Sequence, residues 1–503
     1  MDKTIKNSLK ILLIYPEIPQ TFWSFCHALK FVRKKASFPP LGLLTVAAML
    51  PGAWEKKLVD MNVAKLLDED LEWADYVFIS GMIVQRDAIK AILERCRSFR
   101  CKIVAGGPIF TTGHQDFLQE VDHFVLNEGE VTIPLFLADL ANGVPQKIYT
   151  SDLRPDISNT PVPLWSLINI KDYATMSLQY SRGCPFDCEF CDITIMNGRV
   201  PRTKTQQQLL NELEALYETG WRGGVFIVDD NFIGNKNKVK AIMPALIGWM
   251  KKRRYPFAFL TEASVDLAED SQLMEMMTEA GFNKVFVGLE TPVAESLVEC
   301  NKVLNTRSDL VGAVKKMQKA GLEVMAGFIV GFDNDPVSIF ERQIEFIQKV
   351  GVVTAMVGLL GALPGTKLYH RLKREGRLLE KWSGNNTDCS LNFIPKMDLA
   401  KLKEGYKRIV QTIYSPAKYY ERVMTFIKEF KPQKSFLKKH RLQKDQFLAF
   451  LRSLWLLGVV WKFRVFYWKL LLVSLFRYPR VFPQAVIFAI YGYHFQRLSE
   501  EME

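Results

Sequence analysis

From Ile11 to Thr366 the chain alternates short apolar runs with longer amphipathic stretches. Each apolar run is too short to be a helix, and most run straight into Gly or a polar residue. Runs of this kind, separated by helical segments, pair as parallel strands, because a crossover helix returns the chain to the same end of the sheet. The alternation excludes all-α and all-β folds over this part. It predicts an α/β class, with ligands bound beyond the carboxyl ends of the strands.

The alternation falls into two blocks. In residues 1–145, Ile11–Tyr15, Lys57–Asp60, Tyr76–Ser80, Lys102–Ala105 and His123–Leu126 read as strands, with helices over Gly42–Leu50 and Arg86–Arg97. These predict a doubly wound parallel sheet whose strand-end loops hold Gly81, Gly106-Gly107-Pro108 and Glu128-Gly129-Glu130. Residues 146–170, with Pro155, Pro161 and Pro163, read as a linker. Residues 171–395 contain six more strand–helix units, which predict a partial (β/α)6 barrel of TIM type. Polar residues gather at its strand ends: Asp229-Asp230-Asn231, Ser264, Glu290 and Thr366.

After the barrel's first strand comes Arg182-Gly183-Cys184-Pro185-Phe186-Asp187-Cys188-Glu189-Phe190-Cys191. Three thiolates on one short loop can hold an iron–sulfur cubane, but four irons need four ligands. No fourth Cys follows within the next hundred residues, so one iron is left for another ligand. A zinc site would also want a fourth ligand, and no His lies near the loop. A disulfide with a spare thiol is the structural alternative; the chain reads as cytoplasmic, where disulfides are rare.

This loop resembles that of radical SAM enzymes. The resemblance implies a [4Fe-4S] cluster on Cys184, Cys188 and Cys191, its open iron chelated by S-adenosylmethionine, whose reductive cleavage gives a 5′-deoxyadenosyl radical. It implies that Phe190 presents its backbone to the adenine and that Asp229, Asp230 and Asn231 stand at the methionine amino group, where the family usually has G-G-E. It assigns Ser264 and Glu290 to the sulfonium, carboxylate or ribose, and Gly327 and Thr366 to the adenine side. The first block resembles the cobalamin-binding domain upstream of many such cores, through Phe38-Pro39-Pro40-Leu41-Gly42 and Ala105-Gly106-Gly107-Pro108. By analogy, Ser80, Gly81, Met82, Gly106 and Gly107 would hold the nucleotide tail. The D-x-H-x-x-G motif of that domain is missing; Asp60-Met61-Asn62 stands in its place, so a bound cobalamin would lack His ligation from this loop. The alternative is a sheet kept for packing or for substrate.

Charge separates residues 396–503 from the rest. Residues 401–503 hold 20 Lys or Arg against 7 Asp or Glu, a net of +13, while the whole chain is +12. Leu402–Tyr414 and Tyr419–Phe430 are helical patterns, followed by a Lys-rich hinge, Lys431–Lys444. From Gln446 to Arg497 every charge is basic, amid Trp455, Trp461 and Trp468. Projected as one helix, Arg452, Lys462, Lys469 and Arg477 fall within an arc of about 100°. That pattern suits an interfacial helix on the inner face of a membrane; a subdomain packed on the barrel with snorkelling stems suits it equally. Nucleic acid is not expected, since apolar residues dominate the tail. No run of 18 apolar residues occurs, so no spanning helix is expected.

Together these features resemble the cobalamin-domain radical SAM proteins, a group that includes the hopanoid C-2 methylases. The resemblance implies methyl transfer to an unactivated carbon of a lipid or secondary metabolite, with an electron donor such as flavodoxin or ferredoxin. The alternatives are another radical SAM outcome, either aminocarboxypropyl transfer as in arsinothricin biosynthesis or ring formation, and an iron–sulfur sensor or scaffold.

Overall fold

A computed structural model of the chain describes residues 8–379, 382–385, 387–432 and 444–502. The Lys-rich stretch Lys431–Lys444 lies almost wholly outside the described residues.

The first sheet is formed by β1 (Lys10–Tyr15), β2 (Glu55–Asp60), β3 (Tyr76–Ser80), β4 (Lys102–Gly106), β5 (His123–Val125) and β6 (Ile148–Tyr149), in the order β2-β1-β3-β4-β5-β6. All pairs are parallel. β6 lies inside the stretch that its prolines assign to a linker. Two residues carry no readable period, but Ile148 and Tyr149 pair with Phe124 and Val125, and Tyr149, Ile157 and Trp165 are buried. The strand order reverses between β1 and β3, which opens a crevice at the carboxyl ends.

The second sheet takes β7 (Thr175–Leu178), then, after a small hairpin of β8 (Ser181–Arg182) and β9 (Arg202–Thr203), β10 (Gly223–Ile227), β11 (Phe257–Glu262), β12 (Phe282–Glu290), β13 (Glu323–Val330) and β14 (Ala355–Leu359). Its order, β14-β13-β12-β11-β10-β7, is a run of parallel neighbours with helices between, as the sequence predicts. Six strands make only part of a barrel, and β7 and β14 remain as edges. Along β11, Phe257, Phe259 and Thr261 are buried while Ala258, Leu260 and Glu262 are half-buried, so the second set faces the lumen.

Elements distant in sequence fill that lumen. Trp23 packs edge-on against Phe286 of β12 with centroids 5.4 Å apart, and its indole N–H points at Met356 Sδ, 2.9 Å away. From the last helix, Phe482–Glu501, Tyr491 lies 5.3 Å from the Lys284 ammonium, and Phe495 stacks on Phe22 at 4.5 Å. The helices Leu399–Tyr414 and Pro416–Glu429 pack beside β14. The fully buried Arg422 donates to Gln348 and to the Ile413 carbonyl there, and Tyr414 Oη donates to the Ala355 carbonyl.

The basic tail is not one helix. Lys444–Trp455 passes through a π turn at Leu456–Val460 before Arg464–Arg477 begins, so the projection that groups Arg452 with Lys462, Lys469 and Arg477 does not apply. At the break Gly458 lies under the Trp468 ring, where a Cβ would come within 3.0 Å of it, and its carbonyl accepts the Trp468 indole N–H at 2.9 Å. No helix among the described residues is long and apolar enough to cross a membrane.

Candidate active site

The cysteine loop is shaped by the strand beside it. Asp229, buried beyond the end of β10, accepts the Tyr180 N–H at 2.7 Å and the Ser181 hydroxyl at 2.6 Å. Asp230 accepts the Gly183 N–H at 2.8 Å and the Asn197 amide at 2.9 Å. Gly183 has φ 96, and a Cβ there would sit 3.0 Å from the Gly198 and Val200 carbonyl oxygens, so the turn requires Gly. Cys184, Cys188 and Cys191 are free and half-buried on this loop. Burial pushes all three thiols up, Cys191 to about 12, so iron binding there must displace protons. Cys300 is buried behind the loop with its Sγ on the Leu297 carbonyl at 3.5 Å.

The sequence-marked polar residues divide by what already holds them. Both Asp229 oxygens are engaged by the loop backbone and Ser181. Thr366 caps the helix Lys367–Arg374, accepting the Tyr369 N–H at 3.1 Å, and its hydroxyl donates to the Leu363 carbonyl at 2.7 Å. Asn231 and Ser264 bond to each other across β10 and β11, Nδ2 to Oγ at 3.1 Å. Glu290 leaves β12 at φ 65, an uncommon conformation for a non-glycine residue, and pairs with Lys302. Burial disfavours the Lys302 ammonium, but Glu290 and Cys188 outweigh it and hold its pKa above the ordinary value. Gly327 sits under Phe286, where a Cβ would be 3.1 Å from the ring, and the Phe190 ring lies 6.4 Å from Phe332.

One acid at this mouth escapes sequence reasoning. Glu262 ends β11 on the lumen face. Burial, with the charges of Asp230 and Asp229, lifts its pKa to about 8 despite Lys302. Its period-2 position in Thr261-Glu262-Ala263-Ser264 is the signal that could have found it.

A cavity of about 340 Å³ opens at the ends of β3, β4 and β5 and reaches the barrel mouth. Ser80, Gly106 and Gly107 line it on one side, Arg182, Asn197 and Val228 on the other. Gly81 and Met82, expected with them, are not in its wall; Met82 is 41% exposed. Gly107 has φ 90, and a Cβ there would meet Ser80 Oγ at 2.3 Å, so Gly is required by the neighbouring strand end. The Asp60 carboxylate, away from the cavity, is held by Tyr173 Oη at 2.9 Å and by Asn62.

Between the sheets lies a clamp that only tertiary structure reveals. Arg182 donates to Glu128 at 2.9 Å and to both Glu130 oxygens at 2.9 and 2.8 Å. Arg202 grips Glu128 bidentately at 2.9 and 2.8 Å, and Thr160 donates to Glu130 at 2.7 Å. The Glu128-Gly129-Glu130 turn thus holds the strands that flank the cysteine loop.

A Rossmann-like sheet facing a partial barrel, with three free cysteines and a shared cavity at the junction, defines a B12-binding radical SAM protein. Residues 33–137 match the B12 binding domain, 178–364 the radical SAM superfamily, and 366–503 a domain of unknown function, DUF4070. The chain is 43% identical to the uncharacterized methyltransferase sll1242 of Synechocystis sp., over 98% of this chain and 92% of that one. It is 32% identical to the hopanoid C-2 methylase of Rhodopseudomonas palustris, over 94% and 90%. In fold it resembles OxsB with aqua-cobalamin and S-adenosylmethionine bound (TM-score 0.64, 15% identity, 98% of this chain and 79% of that one). It also resembles TsrM from Kitasatospora setae with cobalamin and a [4Fe-4S] cluster bound (TM-score 0.62, 12% identity, 97% and 99%). The chain belongs to the cobalamin-dependent radical SAM methyltransferase family, whose cofactors are a [4Fe-4S] cluster, S-adenosylmethionine and cobalamin. Like other radical SAM enzymes it needs a reductant and a substrate.

Proposed function

We propose that the protein methylates an unactivated carbon of a lipid or secondary metabolite, with flavodoxin or ferredoxin as electron donor. When bound, the cluster with S-adenosylmethionine would supply a radical for hydrogen abstraction, and cobalamin would supply the methyl group. In this reading Cys184, Cys188 and Cys191 ligate the cluster. Asn231, Ser264, Glu262 and the Glu290–Lys302 pair face S-adenosylmethionine, while Asp229, Asp230 and Thr366 position the backbone around it. The apolar packing of Trp23 on Phe286 and Met356 closes the lumen behind the site and helps keep water from the radical. The observation that carries the reading is the single cavity joining Ser80, Gly106 and Gly107 to Arg182 and Asn197 beside the cysteine loop.

Anaerobic turnover with S-adenosylmethionine and reductant tests it. S-adenosylhomocysteine and 5′-deoxyadenosine should form in similar amounts, and only in cobalamin-loaded protein. Methylthioadenosine as the sole product, at full rate without cobalamin, would replace this reading by aminocarboxypropyl transfer.

We propose further that the tail meets an anionic lipid surface, from which an apolar substrate would enter. Its helices pack on the barrel, yet Trp455 (66% exposed), Val459, Val460, Val465 and Phe476 (77%) stand outward, alongside exposed Lys462 and Lys469. Each such cation contributes about 1 kcal/mol near an anionic surface, and salt weakens it. Trp455→Glu with Phe476→Glu should abolish sedimentation with anionic vesicles while iron content stays unchanged; undiminished sedimentation would refute the surface.

A further inference from the structure

Cys26, His27 and His494 play no part in the site above. Cys26 and His27 open the helix Cys26–Val32, and His494 belongs to the last helix. The sulfur and one nitrogen of each ring all lie within 4.8 Å of one another. His494 is 0% exposed, and its Nδ1 is buried without a hydrogen-bond partner among the described residues. Its Nε2 faces the Phe22 carbonyl at 3.5 Å. An imidazole with one nitrogen toward a backbone carbonyl and the other buried and unpartnered is arranged as a metal-bound histidine is. His27 has its Nε2 3.3 Å from the Glu501 carboxylate and 3.2 Å from the Gln20 side-chain amide.

We propose that Cys26, His27 and His494 bind a zinc ion that joins the N-terminal segment to the last helix. One thiolate and two imidazoles suit zinc, whose Zn–S and Zn–N bonds of about 2.3 and 2.0 Å place ligand atoms somewhat closer than they now stand. Cys26 and His27 are half-buried, so the cluster has a solvent side from which water would supply the fourth ligand. Binding releases the Cys26 thiol proton. Glu501 is a positioning residue that orients the His27 ring. The ion fixes the chain immediately after Phe22–Phe25, the residues that enter the barrel lumen.

Full-length protein with its iron–sulfur cluster reconstituted, then dialysed against trace zinc, should retain about one zinc per chain beside its iron. Cobalt in place of zinc should give sulfur-to-metal charge-transfer absorption. Cys26→Ser and His27→Gln should each lose zinc and that absorption with iron content unchanged, and added zinc should raise the melting temperature of the wild type but not of these variants. Glu501→Gln should weaken zinc about 10- to 100-fold, the usual effect of removing an outer partner. Cys300→Ser, and a chain with Cys184, Cys188 and Cys191 all changed to Ala, should keep the zinc. Folded wild type that holds no zinc, or zinc retained equally by Cys26→Ser, would overturn the site.

Discussion

Changing Arg182 to Met removes the central member of the clamp between the two sheets. Arg182 gives one bond to Glu128 and two to Glu130, and both acids are nearly buried. Glu128 keeps its bidentate Arg202, but Glu130 keeps the Thr160 hydroxyl and a backbone N–H and loses its cation. Removing one partner of a buried ion pair typically costs about 3–5 kcal/mol, because the remaining charge is left without compensation. With Thr160 still in place the lower end applies, about 3 kcal/mol, or roughly a hundredfold in the folded-to-unfolded ratio. Urea denaturation of cluster-reconstituted protein, followed by circular dichroism, measures it. The mechanism also predicts the double variant Arg182→Met, Glu130→Leu, which removes the orphaned charge and should recover most of the loss, since apolar replacement of a whole buried pair is often neutral. A single-variant loss below about 1 kcal/mol, or a double variant whose losses simply add, would refute the argument.

Cys188→Ala should lose the iron that wild type holds, whereas Cys300→Ala and Cys389→Ala should keep it, as iron analysis after anaerobic reconstitution will show. Gly42→Phe should block cobalamin and methylation while leaving iron content intact: Gly42 lines the cavity, and a Cβ there meets no atom within 4 Å. Acid titration should expose Glu130. Burial raises its pKa, but Arg182 and Thr160 outweigh this and leave it below 4.5. A carboxyl lowered on folding stabilises above its unfolded value and loses that contribution as pH falls through the folded one. Wild type should therefore lose stability below about pH 4.5 more steeply than Glu130→Gln.

The strand–helix alternation and the cysteine spacing are local signals, and both sheets follow from them except β6, whose two residues lie in the stretch read as a linker. Asp229 and Thr366 look like ligands because they stand at strand ends, yet Asp229 is held by the Tyr180 N–H and the Ser181 hydroxyl from 49 and 48 residues away, while Thr366 caps its own helix through the Tyr369 N–H, a local role that its position just before Lys367–Arg374 also allows. The reverse error hides Glu128 and Glu130, which read as a loop until Arg182 and Arg202 arrive across the junction. Phe22–Phe25 carry no period at all, and only their contacts with β12 and the last helix reveal that they fill a barrel. The tail misleads for a simpler reason: a helical projection assumes an unbroken helix, and the turn at Leu456–Val460 interrupts it.

The way the lumen is filled bears on how the protein is made. Phe22 meets the last helix across 472 residues of chain. At roughly 5–20 residues per second, a ribosome needs about 25 to 95 seconds between the two. Throughout that interval the aromatic cluster around Phe22, Trp23 and Phe25 has emerged without Tyr491 or Phe495 to cover it. A nascent chain of this protein therefore presents sticky surface near its beginning until synthesis is nearly over, which makes it a natural client for chaperones that bind early and release late.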